Sequence, residues 1–192
     1  MLKSLYDWTI LKAEHPRALW ILAALSFAES SFFPIPPDVL LIPMVLAAPT
    51  RAWRIALVCS LASVFGGIFG YFIGYALFDT VGQPIIDFYH MQEKFIWFQS
   101  KYNEWGAWIV GLAGFSPVPY KVFTIASGMT EMSLPTFIVA SALSRTARFF
   151  LVATLLWKFG VPIRSFIEKR LGLLTLLFFA LLFGSFLAIK YI

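Results

Sequence analysis

Apolar residues run through this chain in long blocks separated by short polar gaps, and the block lengths predict its elements. A helix rises about 1.5 Å per residue, so roughly 20 apolar residues cross a hydrocarbon layer about 30 Å thick. Residues 52–78 meet that length with Arg54 near one end. Residues 133–157 meet it despite Arg145 and Arg148 near their middle, and residues 173–189 form a slightly short third span. The apolar blocks at 18–33, 39–48, 107–115 and 122–129 are each too short to cross. They fall into pairs joined by proline-rich stretches, "PIPPD" at 34–38 and "SPVPYK" at 116–121. Proline lacks the N–H that a helix interior needs, so each pair reads as two half-helices meeting at membrane depth.

Charge in the gaps sets the sidedness, because Lys and Arg in short flanking loops stay cytoplasmic. Lys3, Lys12 and Arg17 precede the first pair, and Arg51 and Arg54 follow it, so this pair enters and returns on one side. The gap at 79–105 carries Asp79, Asp87, Glu93 and Glu104 against Lys94 and Lys101. The gap at 158–171 carries Lys158, Arg164, Lys169 and Arg170 against Glu168 and belongs on the opposite face. The second pair then enters from the outer side. An echo in the sequence matches this: with an offset of 83, Pro34, Pro36, Val39 and Ile42 lie over Pro117, Pro119, Val122 and Ile125. Opposed entry and internal similarity are the pattern of an inverted-topology repeat.

The expected fold is an all-α polytopic membrane protein: an inverted repeat of a re-entrant helical hairpin plus a transmembrane helix, with an additional C-terminal transmembrane helix. Residues 1–192 form one membrane domain. Within it, 1–17 are an N-terminal amphipathic segment, 18–78 repeat 1, 79–105 an outer amphipathic loop, 107–157 repeat 2, and 158–192 a basic loop and C-terminal helix. No secretory signal fits at residues 1–17, where Lys3, Asp7, Lys12, Glu14, His15 and Arg17 interrupt any hydrophobic segment. The first membrane segment is expected to serve for insertion.

Composition agrees. Hydrophobic residues make up 60% of the chain and charged residues 13%, about half the charge of a soluble domain, so lipid is the expected solvent. The net charge of +5 sits in the short gaps, where it reads as topology signal and anionic-lipid contact, not as a nucleic-acid surface. Cys59 is the one cysteine and allows no disulfide.

The ionisable residues inside apolar blocks are the candidates for chemistry, since such groups at membrane depth mark pathways and proton relays. Glu29 and Asp38 bracket the first break. Lys121 takes the place of Asp38 in the second repeat, and Arg145 and Arg148, three residues apart, share a helix face. A structural ion pair such as Glu29 with Arg145, fixing the repeats together, is the plainer reading. Two carboxylates against three bases leave positive charge over, which suits an anion. Arginine forks fit phosphate, and half-helix N-termini add partial positive charge. Lys121, Arg145 and Arg148 are therefore candidates for an anionic headgroup, and Glu29 and Asp38 for proton carriers.

Ala62, Gly66, Gly70 and Gly74 recur every four residues, a small ridge for close helix packing within the chain or with another copy in a homo-oligomer. Trp8, Trp20, Trp97, Trp105, Trp157 and Tyr191 read as interface anchors, and 84–105 as an amphipathic helix on the outer surface. His15 and His90 lie in opposite loops, and Ser127 has no membrane-embedded histidine beside it. No enzyme, metal or cofactor is expected.

Glu29 with Pro34, Pro36 and Asp38, the glycine-rich first span, and "FSPVPYKVFTIASG" at 115–128 ending in Gly128 resemble the DedA family, also called SNARE-associated or VTT-domain proteins, with the YqaA-like subgroup nearest. The resemblance covers roughly residues 18–160. It implies a bacterial inner-membrane, multi-pass protein with re-entrant helices, whose helix-break motifs here are Pro34, Pro36, Pro117, Pro119 and Gly128. It also implies functional acids at Glu29 and Asp38 and functional bases at Lys121, Arg145 and Arg148. The implied activity is transport, flipping or scrambling of a phosphate-bearing anionic lipid, such as a polyprenyl phosphate or a phospholipid, with membrane lipids as partners. Better-known bacterial members carry arginine after the second proline motif. Lys121 stands there at a slightly different spacing, and lysine has no bidentate grip, which weighs against polyprenyl phosphate more than against anionic lipid in general. The rival readings are a proton-coupled small-solute exporter and a non-transporting membrane scaffold.

Overall fold

The computed structural model describes residues 17–116, 119–160 and 162. The expected segment before residue 17, the basic gap beyond Gly160 and the C-terminal helix at 173–189 lie outside the described residues, as does Pro117. The described chain is helical throughout, without strands: α1 (Ala18–Ser31), α2 (Asp38–Ala47), α3 (Ala52–Leu77), α4 (Gln83–Phe88), α5 (Gln92–Phe115), α6 (Tyr120–Met129) and α7 (Leu134–Gly160).

Local chemistry explains where these helices stop. Pro34, Pro36 and Pro37 remove three N–H donors between α1 and α2, and α1 closes with the amides of Phe32 and Phe33 both donating to the Ala28 carbonyl. Pro49 opens a 3-10 turn, Pro49–Arg51, that leads into α3. From there the chain stays helical to Phe88, passing through a π turn at Phe78–Gly82 just ahead of Pro84. Pro84 has no N–H for a regular helical bond, and the wider turn absorbs the change of register. α4 and α6 end alike, with His90 and Glu131 in the left-handed region at φ 52. Each sits in a Schellman arrangement: His90 and Met91 donate to the carbonyls of Asp87 and Ile86, and Glu131 and Met132 to those of Gly128 and Ser127.

Side-chain contacts give the directions of the helices. α1 runs parallel to the first half of α3, since Ser26 meets Cys59, Ser30 meets Ser63 and Ser31 meets Gly66 in that order. α2 turns back, and Leu41, Met44 and Val45 join Ala18, Leu22, Ala52, Ile55 and Ala56 in one core at the start of α3. The second pair approaches from the other end. Phe95 of α5 stacks on Phe78, ring centres 5.0 Å apart, while Gly114 near the end of α5 lies beside Tyr120 and Ser144. α6 then returns along the second half of α3, with Thr124 at Gly70 and Ile125 at Gly74. α7 passes both halves antiparallel to α3: Phe137 sits by Tyr71, Arg145 by Ser63 and Trp157 by Trp53.

The glycine ridge makes this arrangement fit. A Cβ on Gly66 would lie 2.2 Å from the Phe27 carbonyl oxygen, and one on Gly74 would lie 2.0 Å from that of Ile125. The ridge therefore seats α1 on one half and α6 on the other, both within the same chain. Two helical stretches, Pro49–Phe88 and Leu134–Gly160, are long and apolar enough to cross a membrane, and Ala18–Ser31 and Asp38–Ala47 are apolar but shorter. Their outward faces carry Leu57, Leu61, Phe65, Phe69, Leu143 and Leu151, all exposed, as lipid-facing helices require.

One expected boundary is corrected. The outer helix at 84–105 and the half-helix at 107–115 are not separate, because α5 runs unbroken from Gln92 to Phe115. Gly106 does not interrupt it; a Cβ there would lie 2.9 Å from the Met132 sulfur, so this glycine serves packing.

Candidate functional site

Between the core at the start of α3 and the second core around Tyr71, Tyr102, Val110 and Phe137 lies a polar layer. Ser30, Ser63, Thr124, Ser141, Ser144 and Arg145 are all buried there. Both helix breaks reach this level. α1 ends in Ser30 and Ser31 beside Ser63 and Gly66, and α6 begins with Tyr120 and Thr124 beside Gly67 and Gly70. The Thr124 hydroxyl donates to the Ser30 carbonyl at 3.0 Å, tying the two hairpins directly.

Arg145 comes to this layer from α7 and is 1% exposed. Its Nη2 donates to Glu29 Oε2 at 2.7 Å, and its Nε to Ser63 Oγ at 2.5 Å. Ser30 Oγ lies 2.7 Å from Ser63 Oγ and donates to Glu29 at 3.1 Å, so α1, α3 and α7 share one network. The guanidinium carbon lies 4.8 Å from the Tyr120 ring centre and 4.7 Å from that of Phe149. Tyr120 in turn donates a short hydrogen bond to Ser141. A buried ion pair offsets its desolvation only when further hydrogen bonds satisfy both partners. The serines and the ring faces supply that here.

Arg148 is placed differently. Nη2 donates to Asp38 Oδ2 at 2.7 Å, and Nη1 to the Ser116 carbonyl at 2.7 Å. One guanidinium thus holds the first residue of α2 and the start of the second break together. This pair is more open, with side-chain exposures of 18% and 19% against 1% and 12% for Arg145 and Glu29. Arginine's planar fork serves carboxylate and phosphate alike, and of the two arginines Arg148 is the more exposed.

The structure therefore brings Glu29, Asp38, Arg145 and Arg148 together as two ion pairs across the helix breaks. Lys121 is not part of that network. It lies in the first turn of α6, half-buried, and its ammonium makes no ion pair or hydrogen bond with any described residue. Pro34 is exposed and Pro36 half-buried in the first break, and Pro119 immediately precedes α6. Gly128 is corrected from a break residue to part of the last turn of α6, where a Cβ would lie 1.9 Å from the Tyr71 carbonyl oxygen. Among the described residues no group of His, Cys, Asp and Glu could hold a metal ion.

Sequence reasoning missed Ser30, Ser63, Tyr120 and Phe149. The signal for the serines was present: Ser26, Ser30, Ser60 and Ser63 are small polar residues inside apolar blocks, where a hydroxyl needs a partner. Nothing in the sequence marks Tyr120 or Phe149 as the rings that flank Arg145.

The chain is similar in sequence to known proteins over most of its length. The family model of the VTT domain matches residues 35–158, from the first break to the end of α7. An uncharacterized protein of Haemophilus influenzae is 41% identical over 172 residues, covering 86% of this chain and 88% of its own. An uncharacterized protein of Histophilus somni is 43% identical over 169 residues with the same coverage. An uncharacterized protein of Methanocaldococcus jannaschii is 26% identical over 123 residues, 64% of this chain and 73% of its own. No solved structure matches the chain. With a VTT domain over most of its length and apolar helices of membrane-crossing size, the chain is a membrane protein of the VTT-domain, or DedA, family.

Proposed function

We propose that this protein is a transporter of the inner membrane that moves a lipid with an anionic, phosphate-bearing headgroup. In this reading the pairs α1–α2 and α5–α6 are re-entrant hairpins from opposite faces, and with α3 and α7 they form an inverted repeat. The observation that carries the reading is the half-open Arg148–Asp38 pair at the level where the two breaks meet. The first break beside it presents Phe32, Phe33, Ile35 and Val39 to the outside. A charged fork flanked by lipid-exposed apolar side chains suits an amphiphile, whose headgroup takes the fork while its tail stays in the bilayer.

Arg148 is the first contact for the headgroup, Lys121 a second cation near the second break, and Arg145 the enclosed charge behind them. Asp38 competes with the headgroup for the Arg148 guanidinium, and Glu29 holds the Arg145 guanidinium behind it. Protonating either carboxylate weakens its hold on its arginine and frees donors, which is how a proton gradient would be coupled to lipid movement.

Purified protein in vesicles tests this, with a fluorescent phosphate-headed phospholipid and a polyprenyl phosphate as parallel probes. The expected result is probe movement that Arg148→Ala abolishes and that Glu29→Gln or Asp38→Asn makes independent of pH. Gradient-driven solute efflux without lipid movement would instead indicate an exporter. Folded protein that moves neither would indicate a scaffold in which the charges only lock the repeats together.

A further inference from the structure

The two ion pairs are built for different tasks. Arg145 is enclosed by Ser63, Glu29 and two rings, and all of these belong to helices packed along α3 or to α3 itself. Arg148 instead spends one nitrogen on each break: Nη2 on Asp38, the first residue after the first break, and Nη1 on the carbonyl of Ser116, the residue that ends α5. Neither contact lies within a helix ladder. Elsewhere the hairpins are tied by backbone packing on the glycine ridge and by Thr124 to Ser30.

We infer that Arg148 is a staple between the two breaks, and that an anionic group taking its guanidinium from Asp38 undoes the link between them while the Arg145–Glu29 pair stays closed. This rests on the anionic-headgroup reading for the identity of the displacing group. The physical reason is geometric. A phosphate that binds the fork bidentately needs both Nη1 and Nη2 or Nε and Nη2. Either fork uses Nη2, the nitrogen bonded to Asp38, and although the guanidinium has five N–H donors, an anion there sets a second negative charge against the Asp38 carboxylate and competes with it for the same arginine. Occupying the site and loosening the hairpin tips are then a single event, and the molecule needs no separate relay between binding and opening. The more enclosed Arg145 network supplies the fixed frame against which the tips move.

The test is a distance measurement on the full chain in phosphatidylcholine nanodiscs, with Cys59→Ser removing the one native cysteine. Spin labels go on Ile35→Cys in the first break and Val122→Cys in the first turn of α6, both exposed positions. A control pair, Ile21→Cys with Leu57→Cys, reports the α1–α3 contact, and both of these are also exposed. Double electron–electron resonance should give a single narrow distance for the first pair. Adding inorganic phosphate, or phosphatidic acid in the disc, should create a second, longer population, with the control pair unchanged. A response to phosphatidic acid alone assigns the ligand to lipid; a response to both assigns it to phosphate in either form. Arg148→Gln should show the longer population with no anion added. Should that variant fail to fold, Arg148→Lys keeps the charge without a fork and should give a mixture of the two populations.

A narrow, unchanged distance in Arg148→Gln or Arg148→Lys overturns the staple. So does binding of either anion, measured by calorimetry on the same discs, without a change in distance. No binding of either anion overturns the displacement step. Lipid movement is scored separately in vesicles: if it is absent while the distance responds to anion, the transport reading fails and the staple stands.

Discussion

Gly74 and Gly111 predict opposite outcomes for the same substitution. In Gly74→Ala the new Cβ would lie 2.0 Å from the Ile125 carbonyl oxygen and 2.8 Å from its carbon. These are backbone atoms of α6, with no flexible side chain to move aside, so the helices must separate until that contact reaches about 3.4 Å. Separation draws Thr124 away from Gly70 and Gly128 away from Tyr71 and lengthens the Thr124 bond to Ser30. Overpacking of this kind costs about 1–3 kcal/mol or more, and a backbone clash belongs at the upper end. The gain from alanine's helix propensity is only about 1 kcal/mol, leaving a net loss of about 2 kcal/mol. Gly111 has nothing within 4 Å of the same Cβ, so Gly111→Ala keeps the propensity gain. The two variants should differ by about 3 kcal/mol, or roughly 6–12 °C in midpoint for a chain of this size. Cys59 is the only cysteine and is buried, so a thiol-reactive fluorogenic dye reports unfolding of the detergent-solubilised protein directly. A midpoint for Gly74→Ala at or above wild type would refute the seating of α6 on the ridge.

Ser63→Ala leaves the Arg145 Nε buried without its acceptor and should lower stability by about 1–3 kcal/mol, read by the same dye assay. Double-mutant cycles should separate the ion pairs. Removing one partner of the Glu29–Arg145 pair should cost about 3–5 kcal/mol, and removing one partner of the more exposed Asp38–Arg148 pair should cost less, because the charge left behind keeps part of its solvation; equal values would contradict the difference in burial. Glu131→Gly should raise stability by about 1 kcal/mol, since glycine reaches the left-handed conformation at φ 52 without Cβ crowding. In the vesicle assay Arg148→Lys should lose most lipid movement while its unfolding midpoint stays near wild type, because one ammonium cannot replace the fork.

Much of the architecture was legible from periodicity and composition. Block length marked α3 and α7 as long enough to cross, and the proline clusters marked where α1 stops and α6 starts, because a missing N–H is a local property that no tertiary contact restores. That the membrane-depth charges turn inward followed from the cost of leaving any of them in an apolar setting, and Glu29 with Arg145 stood only as one example of a pair. The extent of α5 was not legible. Polar and aromatic residues up to Trp105 and apolar ones after it read as two elements, yet helix continuity depends on backbone hydrogen bonds that a change of surroundings does not interrupt.

By itself, the sequence determined that this is a helical membrane protein with broken helices and a few costly charges, since those conclusions need only lengths, missing donors and desolvation. Only the tertiary structure decided which charge meets which. It buried Arg145 between Tyr120 and Phe149, placed Arg148 across Asp38 and Ser116, and left Lys121 outside the network among the described residues. Residues from 29 to 148 meet there because α1 and α6 sit on successive halves of one glycine ridge. Their partners are set by helix packing in three dimensions, and spacing along the chain carries no record of it.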